Sequence, residues 1–263
     1  MYPFIHIGRI SIGTFGLLLW LAAVCGCWVL YRNFQRWRMN ADAISIVAVS
    51  TVAGILGAKL WHVFETPHEL FAHPADLLFD RAGFAWYGGL IVGILALLWQ
   101  ARVYKLGSLQ MLDLAAPAAS VGYGVGRLGC LVSGDGDYGK PTSLPWGMSF
   151  PHGLVPTYQR VHPTPVYELF GALFIAWILW RRGRPDSPRP WGQITGEYLI
   201  LSGIARFLVE FIRINPPILW GMTNAQLASL GAVVFGFGLV LYARSRAAAN
   251  SAKVQATRTA HTV

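Results

Sequence analysis

Two arginines interrupt apolar sequence where a charge is costly. Arg127 lies in Val121-Gly122-Tyr123-Gly124-Val125-Gly126-Arg127-Leu128-Gly129-Cys130-Leu131, and Arg206 in Tyr198-Leu199-Ile200-Leu201-Ser202-Gly203-Ile204-Ala205-Arg206-Phe207-Leu208-Val209. A guanidinium in hydrocarbon costs roughly 2.5–3.5 kcal/mol on insertion scales, so it faces a polar cavity or a partner. Its planar fork donates two parallel hydrogen bonds, the geometry that grips phosphate. Two such groups in one apolar chain point to a site for a lipid phosphate.

Three constellations surround these arginines. Gly126-Arg127-Leu128-Gly129 leads into Gly134-Asp135-Gly136-Asp137-Tyr138-Gly139. Glycines let backbone N–H groups approach an anion, and Asp135 or Asp137 would orient the arginine or the substrate. The competing reading is a tight turn capping a helix, with Arg127 reaching the surface. The second constellation, His162-Pro163-Thr164-Pro165-Val166-Tyr167-Glu168-Leu169, reads as a helix start. Thr164 is its expected N-cap, Pro165 its first helical residue, and Glu168 lies in a first turn where the dipole favours an anion. That reading leaves His162 and Tyr167 less well explained. The third is Arg206, Glu210 and Arg213, which share one helix face, so Glu210 can pair with both arginines. It also fits a self-neutralised stripe that only stabilises a bundle. Asp113, near the start of another apolar stretch, is expected to be a buried partner for a basic group.

The elements that must carry these residues are membrane helices. Hydrophobic residues make up 54% of the chain and charged residues 13%, against about 25% charged in soluble domains. About seven stretches approach the roughly 20 apolar residues that a span requires, at roughly 10–31, 43–64, 84–101, 109–131, 165–180, 193–213 and 223–243. The expected fold is an all-α membrane protein, a bundle of about seven transmembrane helices with a long structured outer loop between the fourth and fifth. Residues 1–244 form the transmembrane domain, and 245–263 a basic, unstructured cytoplasmic tail. Arginines follow the first, third, fifth and seventh stretches, while Glu65, Glu69, Asp76, Asp80, Asp135 and Asp137 sit in the alternate loops. The positive-inside rule places the N-terminus outside and the C-terminus in the cytoplasm. The net charge of +9 clusters beside apolar stretches, as expected for contact with anionic lipid and not nucleic acid. Cys25, Cys27 and Cys130 suggest neither a disulfide framework nor a metal site, and no cofactor is expected.

Taken in order, these segments resemble the prolipoprotein diacylglyceryl transferase family. Ala85-Trp86-Tyr87-Gly88-Gly89-Leu90-Ile91 resembles the family's aromatic-His-Gly-Gly-Leu segment, and Asp113-Leu114-Ala115-Ala116-Pro117 the start of its next helix. Gly126-Arg127-Leu128-Gly129 resembles the start of the family signature. His162 to Glu168 resembles its His-Pro-Ser/Thr-Gln-Leu-Tyr-Glu stretch, and Arg206 to Arg213 its Arg-x-x-Val-Glu-Phe-x-Arg helix. The likeness covers roughly residues 10–243. Cys130 and Ser133 replace asparagines of the signature, Asp135 its glutamate, Tyr87 a histidine, and Ser202 a tyrosine.

The resemblance implies a multi-pass enzyme of the bacterial cytoplasmic (inner) membrane. It would move the diacylglyceryl group of phosphatidylglycerol to the lipobox cysteine of prolipoprotein signal peptides. Arg127, Arg206, His162 and Tyr87 become the expected catalytic residues. Gly126, Asp113, Asp135, Tyr167, Glu168, Glu210 and Arg213 become the expected substrate-binding ones. Other readings stay open: a paralogue that binds phospholipid or modifies another acceptor, a transporter with an arginine-lined path, or a structural membrane protein with a polar core.

Overall fold

Apolar runs of helical length become helices in the computed structural model, which describes residues 2–8, 10–66 and 85–260. In chain order the elements are β1 (Phe4–Ile7), β2 (Ile10–Gly13), α1 (Thr14–Trp37), α2 (Ala43–Glu65), α3 (Trp86–Val103) and α4 (Ser108–Ser133). They continue with β3 (Met148–Phe150), β4 (Thr157–Val161), α5 (Thr164–Arg182), α6 (Gln193–Glu210) and α7 (Asn224–Ala260). Among the described residues four helices, α1, α2, α3 and α7 through Ala252, are long and apolar enough to cross a membrane. The three that carry Arg127, Glu168 and Arg206 are not among them, as expected where ionisable residues dilute an apolar run.

Three differences from the sequence reading have local causes. The fold is not all helical: residues 10–13, read as the start of the first helix, form β2. This strand pairs antiparallel with β1 in the register Phe4↔Gly13 to Ile7↔Ile10. A second small hairpin joins β3 to β4, with Met148 opposite Val161 and Phe150 opposite Thr157. Residues 245–260, read from composition as an unstructured tail, continue α7. Most of the acidic segment at 65–83, with His68 and His73, lies outside the described residues.

Helix starts follow ordinary capping chemistry. Asp42 accepts the Ile44 N–H at 3.0 Å. At α7 the Gln226 amide donates to the Thr223 hydroxyl at 3.2 Å, and the Thr223 amide to Gln226 Oε1 at 3.0 Å, a reciprocal pair.

The chain divides into two compact units: Met1–Leu30 with Asp113–Val263, and Tyr31–Leu112. In the second unit α2 packs on α3 through glycines; a Cβ on Gly57 would stand 2.7 Å from the Gly88 carbonyl oxygen. In the first unit the Ser120 hydroxyl of α4 donates to the Ala172 carbonyl of α5 at 2.7 Å. Helices α6 and α7 meet through Gly196 and Gly236, where a Cβ on either would lie 2.7 Å from the other's carbonyl oxygen. Gly236→Val should therefore lower stability by about 1–3 kcal/mol through overpacking. Gly238→Val, with nothing within 4 Å, should change it little. Thermal unfolding in detergent reads both.

Candidate active site

The site is built on α4, α5 and α6 and on the loops that follow α4 and α6, all within the first unit. Helix α4 carries Arg127 and, one turn earlier, Tyr123. Helix α5 carries Glu168 in its second turn, one residue beyond Tyr167. Helix α6 carries Arg206 and ends at Glu210, so Arg213 lies just past it.

Backbone pairing fixes the loops. Gly139 bridges antiparallel to Arg213. The Gly139 N–H donates to the His162 carbonyl at 2.8 Å, and the Lys140 N–H to the Ile212 carbonyl at 2.7 Å. The chain passes so closely here that a Cβ on Gly139 would stand 2.9 Å from His162 Cβ. Gly134 and Gly136 take φ of 61° and 92°, which lets the loop turn off α4. Beside them Tyr138 stacks on Phe150, ring centroids 5.2 Å apart, over a core shared with Val161. This anchors the hairpin and aims Asp137 back towards α4.

Three guanidiniums and three carboxylates converge there. Asp137 pairs with Arg127 through one oxygen and with Arg213 through the other, and Arg213 also donates to the Asp137 carbonyl at 3.0 Å. Glu168 faces all three arginines, 3.2 Å from Arg127, 3.5 Å from Arg213 and 3.8 Å from Arg206. Glu210 pairs with Arg206 at 2.5 Å and Arg213 at 3.6 Å. Asn215 and Thr223 also donate to Glu210, at 2.6 and 2.8 Å. The side chains of Glu168 and Glu210 are 3% and 0% exposed, that of Asp137 28%. Burial opposes the charge of Asp137, but Arg213 and Arg127 outweigh it and hold the carboxyl below the usual carboxylate range. Arg127, Arg206, Arg213, Glu168 and Glu210 thus come together as one network, with Glu210 serving two arginines as their spacing predicts.

Other expected residues are placed differently. Among the described residues Asp113 is held by α6 and not by an arginine: it caps that helix, accepting the Gly192 N–H at 2.8 Å, the Thr195 N–H at 2.7 Å and the Thr195 hydroxyl at 2.5 Å. Gly126 lies within α4, where a Cβ would meet nothing within 4 Å, so the Gly126–Gly129 stretch is helix and not an anion-binding turn. Thr164 is not an N-cap: its hydroxyl donates to the Asp137 carbonyl. Pro165 does occupy the first helical turn. His162 Nδ1 lies 3.2 Å from the Tyr167 hydroxyl, which accepts from Trp146 Nε1 at 2.7 Å. Asp135 accepts the Asp137 N–H at 3.2 Å. Tyr87 belongs to the second unit, in the first turn of α3, edge-on to Trp86.

Asp137 is one of two acids expected from the sequence to orient the arginine or the substrate, and it is the one that pairs with Arg127. Tyr123 is a member of the network with no role assigned at the level of sequence. The Tyr123 hydroxyl donates to Glu168 at 2.6 Å and accepts from Arg127 at 3.1 Å. Its spacing of one helical turn from Arg127 was the available signal. Cys130, Asp135 and Asp137 also bring possible ligand atoms within 4.8 Å of one another, a clustering the spacing did not suggest. Arg127 and Arg213 already hold Asp137, so a cation there would meet two positive neighbours.

A profile of the prolipoprotein diacylglyceryl transferase family matches residues 3–242. The chain belongs to that family. It is 32% identical over 255 residues to the phosphatidylglycerol–prolipoprotein diacylglyceryl transferase of Pseudomonas putida, covering 91% of this chain and 92% of that one. It is similarly related to the proteins of that name from Pseudomonas fluorescens (32%, 94% of each) and Pseudomonas aeruginosa (33%, 92% and 93%). In this member of the diacylglyceryl transferase family, the arginines resembling the family's motifs are those joined through Glu168.

Removing the cap with Asp113→Ala should cost about 1–2 kcal/mol of stability and leave lipid affinity unchanged, as unfolding and binding assays would show. For Asp137 the folded-state pKa is depressed. Its contribution is complete above the unfolded value near 4 and fades as pH falls through the folded one. Melting temperatures of wild type and Asp137→Asn should differ most near neutral pH and converge below about pH 4. A gap that widens in acid would contradict the assignment.

Proposed function

We propose that the chain transfers the diacylglyceryl group of phosphatidylglycerol to the lipobox cysteine of prolipoprotein signal peptides. The observation that carries this reading is the convergence of Arg127, Arg206 and Arg213 on Glu168, in a chain of this family. The cysteine sulfur attacks the glycerol carbon that bears the phosphate ester. A carbon–sulfur bond forms, the carbon–oxygen bond breaks, and glycerol phosphate leaves with the electron pair. Negative charge grows on the departing phosphate, where Arg127 and Arg206 would donate hydrogen bonds and stabilise it. The same guanidiniums favour the thiolate over the thiol.

Glu168, Glu210 and Arg213 would orient the two arginines. Asp135, Tyr167 and Gly126 would border the substrate, and His162 is the candidate to take the thiol proton. No metal or other cofactor enters this scheme. The protein would sit in the bacterial cytoplasmic membrane on seven spans, with α4, α5 and α6 added to the four more apolar helices. Positive-inside charge puts its N-terminus outside, the 134–163 segment on the outer face and the C-terminus inside.

In proteoliposomes containing phosphatidylglycerol and a lipobox peptide, Arg127→Ala and Arg206→Ala should each cut transfer by roughly 10²–10³, the scale of a lost charge-stabilising donor. Near-normal transfer by either folded variant would remove that arginine from the reaction.

A further inference from the structure

Glu168 is almost fully enclosed and faces three cations, yet among the described residues none of these three guanidiniums hydrogen-bonds to it. Arg127 Nη2 stands 3.2 Å from Oε1, Arg213 Nη1 3.5 Å from Oε2 and Arg206 Nε 3.8 Å from Oε1. Among the described residues its hydrogen bond comes from the Tyr123 hydroxyl at 2.6 Å, and its buried Oε2 has none. Arg127 Nη2 donates instead to the Tyr123 oxygen at 3.1 Å. The Arg127 guanidinium carbon lies 5.0 Å from the centroid of the Tyr123 ring. One hydroxyl thus stands between a carboxylate and a guanidinium and answers both.

We propose that Tyr123 is a positioning residue for Arg127, a neutral spacer that keeps its guanidinium from closing onto Glu168 and so leaves its charge available to the lipid phosphate. The inference rests on the transfer reaction above.

The physical argument concerns what happens without the hydroxyl. A guanidinium and a carboxylate in direct contact form parallel, charge-assisted hydrogen bonds roughly twice as strong as neutral ones. Arg127 and Glu168 are already 3.2 Å apart, so only a small rotation separates the present arrangement from that closed pair. A hydroxyl can donate to the carboxylate and accept from the guanidinium at once, which satisfies both without merging their charges. Helical spacing delivers it: Tyr123 and Arg127 are one turn apart on α4, and the ring beneath the guanidinium restricts its swing. On the other side Asp137 holds Nη1, so Tyr123 and Asp137 define the fork from opposite ends.

Tyr123→Phe keeps the ring and removes only the spacer. In proteoliposomes of graded phosphatidylglycerol content, kcat/KM for the lipid should fall about tenfold, the weight of one hydrogen bond to a charged group, because Arg127 serves both the bound phosphate and its departure. In the Glu168→Gln background there is no carboxylate to close on, so Tyr123→Phe should lower kcat/KM less than about threefold. Calorimetric binding of glycerol phosphate to the purified full chain reads the same charge without turnover and should weaken about tenfold in Tyr123→Phe alone.

Unchanged kcat/KM for the lipid and unchanged glycerol phosphate affinity in Tyr123→Phe would overturn the proposal. An equal loss in both Glu168 backgrounds, a loss of transfer with glycerol phosphate affinity unchanged, or a Tyr123→Phe chain that fails to fold would do the same. If wild type transfers nothing but binds glycerol phosphate and shows the coupling, the transfer reading fails and the spacer stands. If wild type transfers, Arg127→Ala does not, and Tyr123→Phe is normal, the spacer alone fails.

Discussion

A carboxylate enclosed among three guanidiniums sets the terms for the rest of the site. At about 4 Å and an effective dielectric near 20, each charge pair is worth about 4 kcal/mol before desolvation is counted. Glu168 has three such neighbours, and Asp137 and Glu210 return part of the balance by holding two arginines each. Removing one member of a buried set strands the others as uncompensated charge, which costs more than the pair itself contributes. The network therefore behaves as a unit. It also explains why two loops distant in sequence are tied by backbone hydrogen bonds: the 137–140 and 211–213 segments must arrive together for Asp137 and Arg213 to neutralise one another.

Much of the helical framework was legible because membrane helices announce themselves by length and apolarity alone. Charges inside a helix were legible too: Arg206, Glu210 and Arg213 pair as their spacing requires, even though Arg213 lies past the end of α6. Periodicity failed at the short pieces. Ile10–Gly13 is apolar enough to extend the first helix, but its pairing with Phe4–Ile7 makes it a strand, and pairing has no signature in a run so short. At the C-terminal end, composition suggested disorder for residues that continue α7, since a helix already nucleated extends readily through alanines.

The site was less legible wherever the partner is remote. A buried acid in an apolar helix invites a cationic partner, but Asp113 instead takes backbone N–H groups 79 and 82 residues away. No local spacing encodes that. Tyr123 reads as one more aromatic in a glycine-rich apolar run, and only the fold shows that its hydroxyl meets Glu168 on another helix. Asp135 and Asp137 are alike in sequence. The positive φ of Gly136 between them turns one towards two arginines and leaves the other supporting the loop.

Balance inside the cluster permits its burial and also limits what it can hold. Three cations face three carboxylates, so an incoming phosphate joins an already balanced set and its binding requires that hydrogen bonds be dealt again. The enclosure of the three acids is unequal. Glu168 and Glu210 sit on helices with side chains 3% and 0% exposed, and Asn215 and Thr223 further tie down Glu210. Asp137 is 28% exposed, on a loop in which Gly134 and Gly136 adopt left-handed conformations. An acid that can reach water loses less on giving up a guanidinium than one that cannot, because solvent replaces the bond. The face of Arg127 and Arg213 turned towards Asp137 is therefore where an anion can enter the network at least cost, while Glu168 and Glu210 keep the arginines in place behind it.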